Sequence, residues 1–69
     1  MAEIDRKAVG EKLRLLRGDK PQKVVADAIG VTTMAISSYE RGERMPSDNK
    51  KVELANYFNR RVEDIFFTN

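Results

Sequence analysis

PQKVVADAIGVTTMAISSYERG, residues 21–42, decides the fold. Val25 and Ile29 recur at i, i+4 with Ala26 beside them, which is the seam of a helix. Ile36 and Tyr39 recur at i, i+3 and start a second stripe. Between the stripes, Gly30 stands where a left-handed residue usually closes a helix, and Thr32 is a good N-cap for the next one. Gly42 is a second stop of the same kind. Pro21 suits a first-turn position, where its missing N–H costs nothing. Asp19 with Gln22 has the spacing of a capping box. The pattern predicts one helix over PQKVVADAI and another from Thr32 to about Arg41. Only Gly30 to Thr32 separates them, which is a helix-turn-helix.

The second of these helices has an unusual outer face. Charged residues make up 35% of the chain, yet Thr33, Met34, Ser37 and Ser38 are small or neutral. Ser and Thr are indifferent helix formers, and a purely solvated face is better served by Glu, Lys or Gln. A helix that enters the major groove, about 12 Å wide, has a different requirement. It docks on its own domain by an apolar face and presents a small, hydrogen-bonding face to base edges, with long cations placed on phosphates around it. The charge distribution agrees. Seven basic residues lie between Arg6 and Lys23, none between Val24 and Glu40, and Arg41, Arg44, Lys50 and Lys51 follow.

Outward from this stretch, Val9, Leu13 and Leu16 predict a helix from about Arg6 to Arg17, stopped by Gly18, with Ile4 extending its apolar contact backwards. Pro46 breaks the chain and Ser47 caps a fourth helix, about Asp48 to Phe58, with Val52, Ala55 and Phe58 as its stripe and Leu54 beside it. RVEDIFF makes a last short helix with Val62, Ile65 and Phe66 inward. The expectation is an all-α fold of five short helices in a single domain spanning residues 1–69, with mainly local contacts.

Composition narrows the function. The formal net charge is +2 and the pI about 9.2, compatible with nucleic acid but not diagnostic of it. There is no Cys and no His, so the commonest metal ligands, nucleophile and general base are missing. With no Gly-rich phosphate loop and no recognisable pairing among the eleven carboxylates, an enzyme is not expected. No cofactor, metal or small-molecule ligand is evident. The charged start MAEIDRK has no signal-peptide character, and no apolar run approaches the roughly 18 residues that span a bilayer. The expectation is a soluble cytoplasmic protein without a membrane partner.

The stretches VGEKLRLLR, PQKVVADAIGV and TTMAISSYERGERMPS together resemble the Cro/cI-like, XRE-family helix-turn-helix DNA-binding domain of phage repressors and bacterial regulators. The resemblance runs from about Val9 to Phe66 and rests on the set Q-x-x-x-A-x-x-x-G-V, I-x-x-Y-E-R-G and P-S. It implies a compact lambda-repressor-like fold. It further implies that Thr33, Met34 and Ser38, with Ser37 beside them, read bases, and that Gln22 and Arg41 hold phosphates; Thr32 and Arg44 are grouped with these two as phosphate contacts. Arg17 and Glu40 match a partly buried ion pair between the first and third helices. The chain departs from the family in a shortened turn between Arg17 and Gln22, in Pro21 replacing a Ser cap, and in Lys51 and Arg60 at commonly apolar positions.

The resulting expectation is a sequence-specific double-stranded DNA-binding transcriptional regulator, a repressor, acting as a homodimer on a near-palindromic operator. Phe67 falls off the last apolar stripe, and it is expected with Phe66 at the dimer interface. The competing expectation is a protein-interaction module, such as an antitoxin or antirepressor, on the same fold.

Overall fold

The computed structural model describes residues 5–67, so Ile4 lies outside the described residues. Five helices follow one another: α1 (Arg6–Arg17), α2 (Gln22–Ile29), α3 (Thr33–Glu40), α4 (Asp48–Tyr57) and α5 (Val62–Phe66). There is no strand among the described residues. Asp5 caps α1, accepting the N–H groups of Lys7 and Ala8 at 3.0 and 3.3 Å. Thr32 caps α3 through the N–H of Ala35 at 3.0 Å, and Ser47 caps α4 through that of Lys50 at 3.3 Å. Each supplies an acceptor to a first-turn donor that the helix itself cannot satisfy.

α2 starts differently from its expectation. Pro21 is the N-cap itself and makes no side-chain bond, and the Asp19 capping box does not form. Proline fixes the extended entry into the helix but carries no acceptor side chain. α2 ends as foreseen, with Gly30 left-handed at φ 72° and ψ 39°. The N–H of Val31 then returns to Ala26 O at 3.0 Å, which closes the turn before α3.

The core is one cluster contributed by all five helices: Val9 and Leu13, Val25, Ala26 and Ile29, Ala35, Ile36 and Tyr39, Leu54 and Ala55, Ile65 and Phe66. α4 turns Leu54 and Ala55 inward, so Val52 of the anticipated stripe is 48% exposed. Leu16 and Phe58 are half-buried against the cluster. The reason is the wide polar sequence of α4, whose two strong apolar positions, adjacent at 54 and 55, set its rotation; Val52 lies about 200° from Leu54 at 100° per residue. Lys51 is packed into the flank. Its ammonium lies 6.0 Å from the ring centre of Phe66 and 5.6 Å from that of Phe67, so its stem covers apolar surface while the charge faces the rings.

Candidate nucleic-acid interface

α3 is held from behind by α1 and α2. α1 crosses it at Gly10, where a Cβ would lie 2.4 Å from Glu40 O and 2.6 Å from Tyr39 O, too close to exist without separating the helices. Only glycine lets the α1 backbone touch the last turn of α3. Gly10 sits within VGEKLRLLR but is not among the residues that the sequence pattern marks for function. Its signal is a glycine inside a strongly periodic helix, which costs helix propensity and calls for a packing reason.

Beside this contact lies a three-residue polar brace. Arg17 Nε donates to Glu40 Oε2 at 2.7 Å and Nη2 to Glu40 Oε1 at 3.0 Å. Gln22 Nε2 donates to the same Oε1 at 3.0 Å. The Glu40 side chain is only 6% exposed, so these donors replace the water it has lost. The hydrogen bond to Glu40, with its charge, raises the guanidinium pKa of Arg17 further above its ordinary value. Arg17 Nη1 also donates to Lys20 O at 2.6 Å and ties the short turn down. Lys20 closes that turn from outside, reaching Tyr57 Oη at 3.2 Å. The shortened, Pro-entered turn thus still delivers Gln22 to Glu40. Gln22, foreseen as a phosphate contact, is half-buried and spends one amide donor in the brace.

The outward stripe of α3 is Thr33, Met34 and Ser37, continued by Arg41 at the C-cap. Thr33 is exposed and Met34 is 74% exposed. Ser38 does not share this face. It is 7% exposed, on the flank beside Ala35 and Tyr39, and its carbonyl receives the N–H groups of Glu43 and Arg44 at 2.9 and 3.4 Å. The outgoing loop therefore closes against Ser38, which corrects its expected placement among the base-reading side chains. Thr32 and Arg44 are exposed at the two ends of the stripe.

Arg41 is exposed but engaged. Nε and Nη2 donate to Glu43 Oε2 and Oε1, each at 3.0 Å, and Nη1 donates to Ser37 Oγ. The hydrogen bond to Arg41 holds the Glu43 carboxyl below its ordinary pKa. Lys50 is engaged too, donating to Ile29 O at 2.7 Å and pairing with Glu53 at 2.8 Å. It satisfies the carbonyl end of α2, where a cation is favoured.

At the far end, Phe66 is 0% exposed and belongs to the core, which corrects its expected place in a dimer interface. Ile65 and Phe66 are neighbours facing inward from the last turn, and that rotation sends Phe67 out, 55% exposed. No group of carboxylates arranged to hold a metal ion occurs among the described residues, and none of their helices is long and apolar enough to cross a membrane.

The sequence matches the helix-turn-helix family over residues 11–65. The structure is similar to the P22 c2 repressor in complex with a synthetic operator, with a TM-score of 0.80 and 25% identity over 83% of this chain and 89% of that one. It is similar to the restriction-modification controller protein C.AhdI from Aeromonas hydrophila, with a TM-score of 0.79 and 28% identity over 90% and 97% of the two chains. It is also similar to the SOS-response transcriptional repressor LexA from Eubacterium rectale, with a TM-score of 0.81 and 28% identity over 94% and 72%. No curated protein sequence matches significantly. The chain belongs to the Cro/cI-like, XRE-type helix-turn-helix family, whose members are DNA-binding regulators and not enzymes.

Proposed function

We propose that this protein is a sequence-specific, double-stranded DNA-binding transcriptional repressor that inserts α3 into the major groove, in the cytoplasm, without a cofactor. The observation that carries the reading is the division of α3 into two faces. Ala35, Ile36 and Tyr39 are buried, while Thr33, Met34 and Ser37 form an outward, uncharged stripe ending at Arg41. Hydroxyls can exchange hydrogen bonds with base edges, and a methionine can lie against a thymine methyl. Around this stripe, Thr32, Arg41, Arg44 and the free part of the Gln22 amide hold phosphates. The start of α2 assists, because no side chain caps it and helix N-termini favour anions. The similar P22 c2 repressor is in complex with a synthetic operator, which supports binding to duplex DNA.

A homodimer on a near-palindromic operator, joined near Phe67, completes the reading. Two copies of α3 would then meet successive major grooves about 34 Å apart. Selection of bound sites from random duplexes, with salt varied, tests the proposal. The expected result is a two-fold-related consensus and an affinity that falls steeply with salt. Thr33→Ala shifts the consensus, whereas Arg44→Ala weakens all sequences alike. Binding with no sequence preference in the selection would instead favour a protein-interaction module.

A further inference from the structure

Arg41 lies at i+4 from Ser37 and i+8 from Thr33, on the stripe assigned above to DNA. Three of its five N–H donors are already engaged. Two parallel N–H groups meet the two oxygens of Glu43 at 3.0 Å each, and the remaining Nη1 is on Ser37. This bidentate geometry is the one a phosphate presents to arginine. The placement of Glu43 is built into the chain. Gly42, at φ 74°, reverses the backbone directly after α3, and the N–H of Glu43 is anchored on Ser38 O at 2.9 Å. No other carboxylate is bonded to the outward stripe among the described residues.

We propose that Glu43 is an internal stand-in for a DNA phosphate, which occupies Arg41 in the unbound protein and limits its sequence-independent affinity for duplex DNA. The inference rests on the DNA-binding reading above. A phosphate reaching Arg41 exchanges with a carboxylate instead of meeting an empty fork, and the displaced carboxylate is left beside the negatively charged backbone. The cost falls on every duplex, whatever its sequence. Contacts from Thr33 and Met34 to bases are untouched by it, so occupancy of the operator leans more heavily on them. Glu43 is thus a positioning residue that acts through Arg41.

The test is Glu43→Gln, which keeps the size and removes the charge, assayed on the selected operator and on a scrambled duplex across a salt series. Both residues are exposed, and an unchanged helical circular dichroism spectrum checks the fold. The variant is expected to bind both duplexes about three- to tenfold more tightly at low salt, with a log–log salt slope steeper by up to about 0.9. In an Arg41→Ala background the gain should be largely lost. Wild-type binding with no gain in Glu43→Gln overturns the proposal. So does the same gain in both backgrounds, which reports net charge alone, or a loss confined to the operator, which makes Glu43 an orienting partner for base contact. Wild-type protein that binds neither duplex defeats the DNA-binding reading itself, a distinguishable result.

Discussion

Gly10 and Glu40 act on the same turn of α3 from opposite chemistries. Gly10 provides room, since a methyl group there would stand 2.4 Å from a backbone carbonyl that cannot rotate away. Gly10→Ala should destabilise the fold by about 1–3 kcal/mol through overpacking, even though alanine is the better helix former. Denaturant titration with an unchanged m-value checks this, and equal or higher stability would show that α1 and α3 can separate freely. Glu40 provides the acceptors for Arg17 and Gln22. Glu40→Ala leaves both donors facing a largely buried site and should cost about 2–3 kcal/mol, a large share of what so small a domain has. Operator affinity should fall with it at temperatures where the fold persists, since α3 loses its tie to α1 and α2. Neither effect needs a DNA contact by either residue.

At the scale of elements, helix starts and stops were the most legible part of the sequence. Thr32, Ser47, Gly18, Gly30 and Gly42 stand where they were placed, because capping depends on a few adjacent residues. Rotation of a helix about its axis was less legible. Ser38 and Val52 each face the opposite side from the one expected, since the side facing inward depends on what the rest of the chain presents, whereas Phe66 is inward as its stripe predicts. The paired Arg17 and Glu40 follow from family likeness and Gly10 has a local signal as a glycine inside a periodic helix, whereas the role of Glu43 is visible only once the turn after α3 closes. The surface pairs at the ends of α3 and α5 also set a pH response. Hydrogen bonds from Arg41 to Glu43 and from Arg61 to Asp64 hold both carboxyls below their ordinary values. A carboxyl whose folded pKa is lowered contributes stability above its unfolded pKa, and that contribution is lost as pH falls through the folded value. The chain has no histidine, so no side chain with an ordinary pKa near neutrality adds to this. The melting temperature should stay nearly level from about pH 7 to pH 5 and fall below about pH 4. A marked drop between about pH 7 and pH 6 in a thermal melt would contradict this assignment.

For the whole molecule, reading length argues for two copies. At 1.5 Å per residue, the eight residues of α3 extend about 12 Å, the rise of only three or four base pairs. If α3 enters the groove as proposed, one protomer reads too short a word to single out a site in a genome. Phe67, exposed and adjoining Lys51, is the aromatic anchor available for pairing at the end of α5. Phe67→Ser should shift sedimentation towards the monomer at high concentration and make operator binding steeper in protein concentration, with the melting temperature of the monomer little changed. Unchanged sedimentation would remove Phe67 from the interface. The core does not depend on this residue, because Phe66 fills the interior in its place.

The backbone contact at Gly10 also bears on how such a protein can change its target. α3 is located by its peptide carbonyls, by Glu40 and by the inward side chains, and by none of Thr33, Met34 or Ser37. In the proposed reading, those three positions are an address written on a fixed support. A new address can be written by exchanging them together, while the support and the path of the chain through it remain as they are.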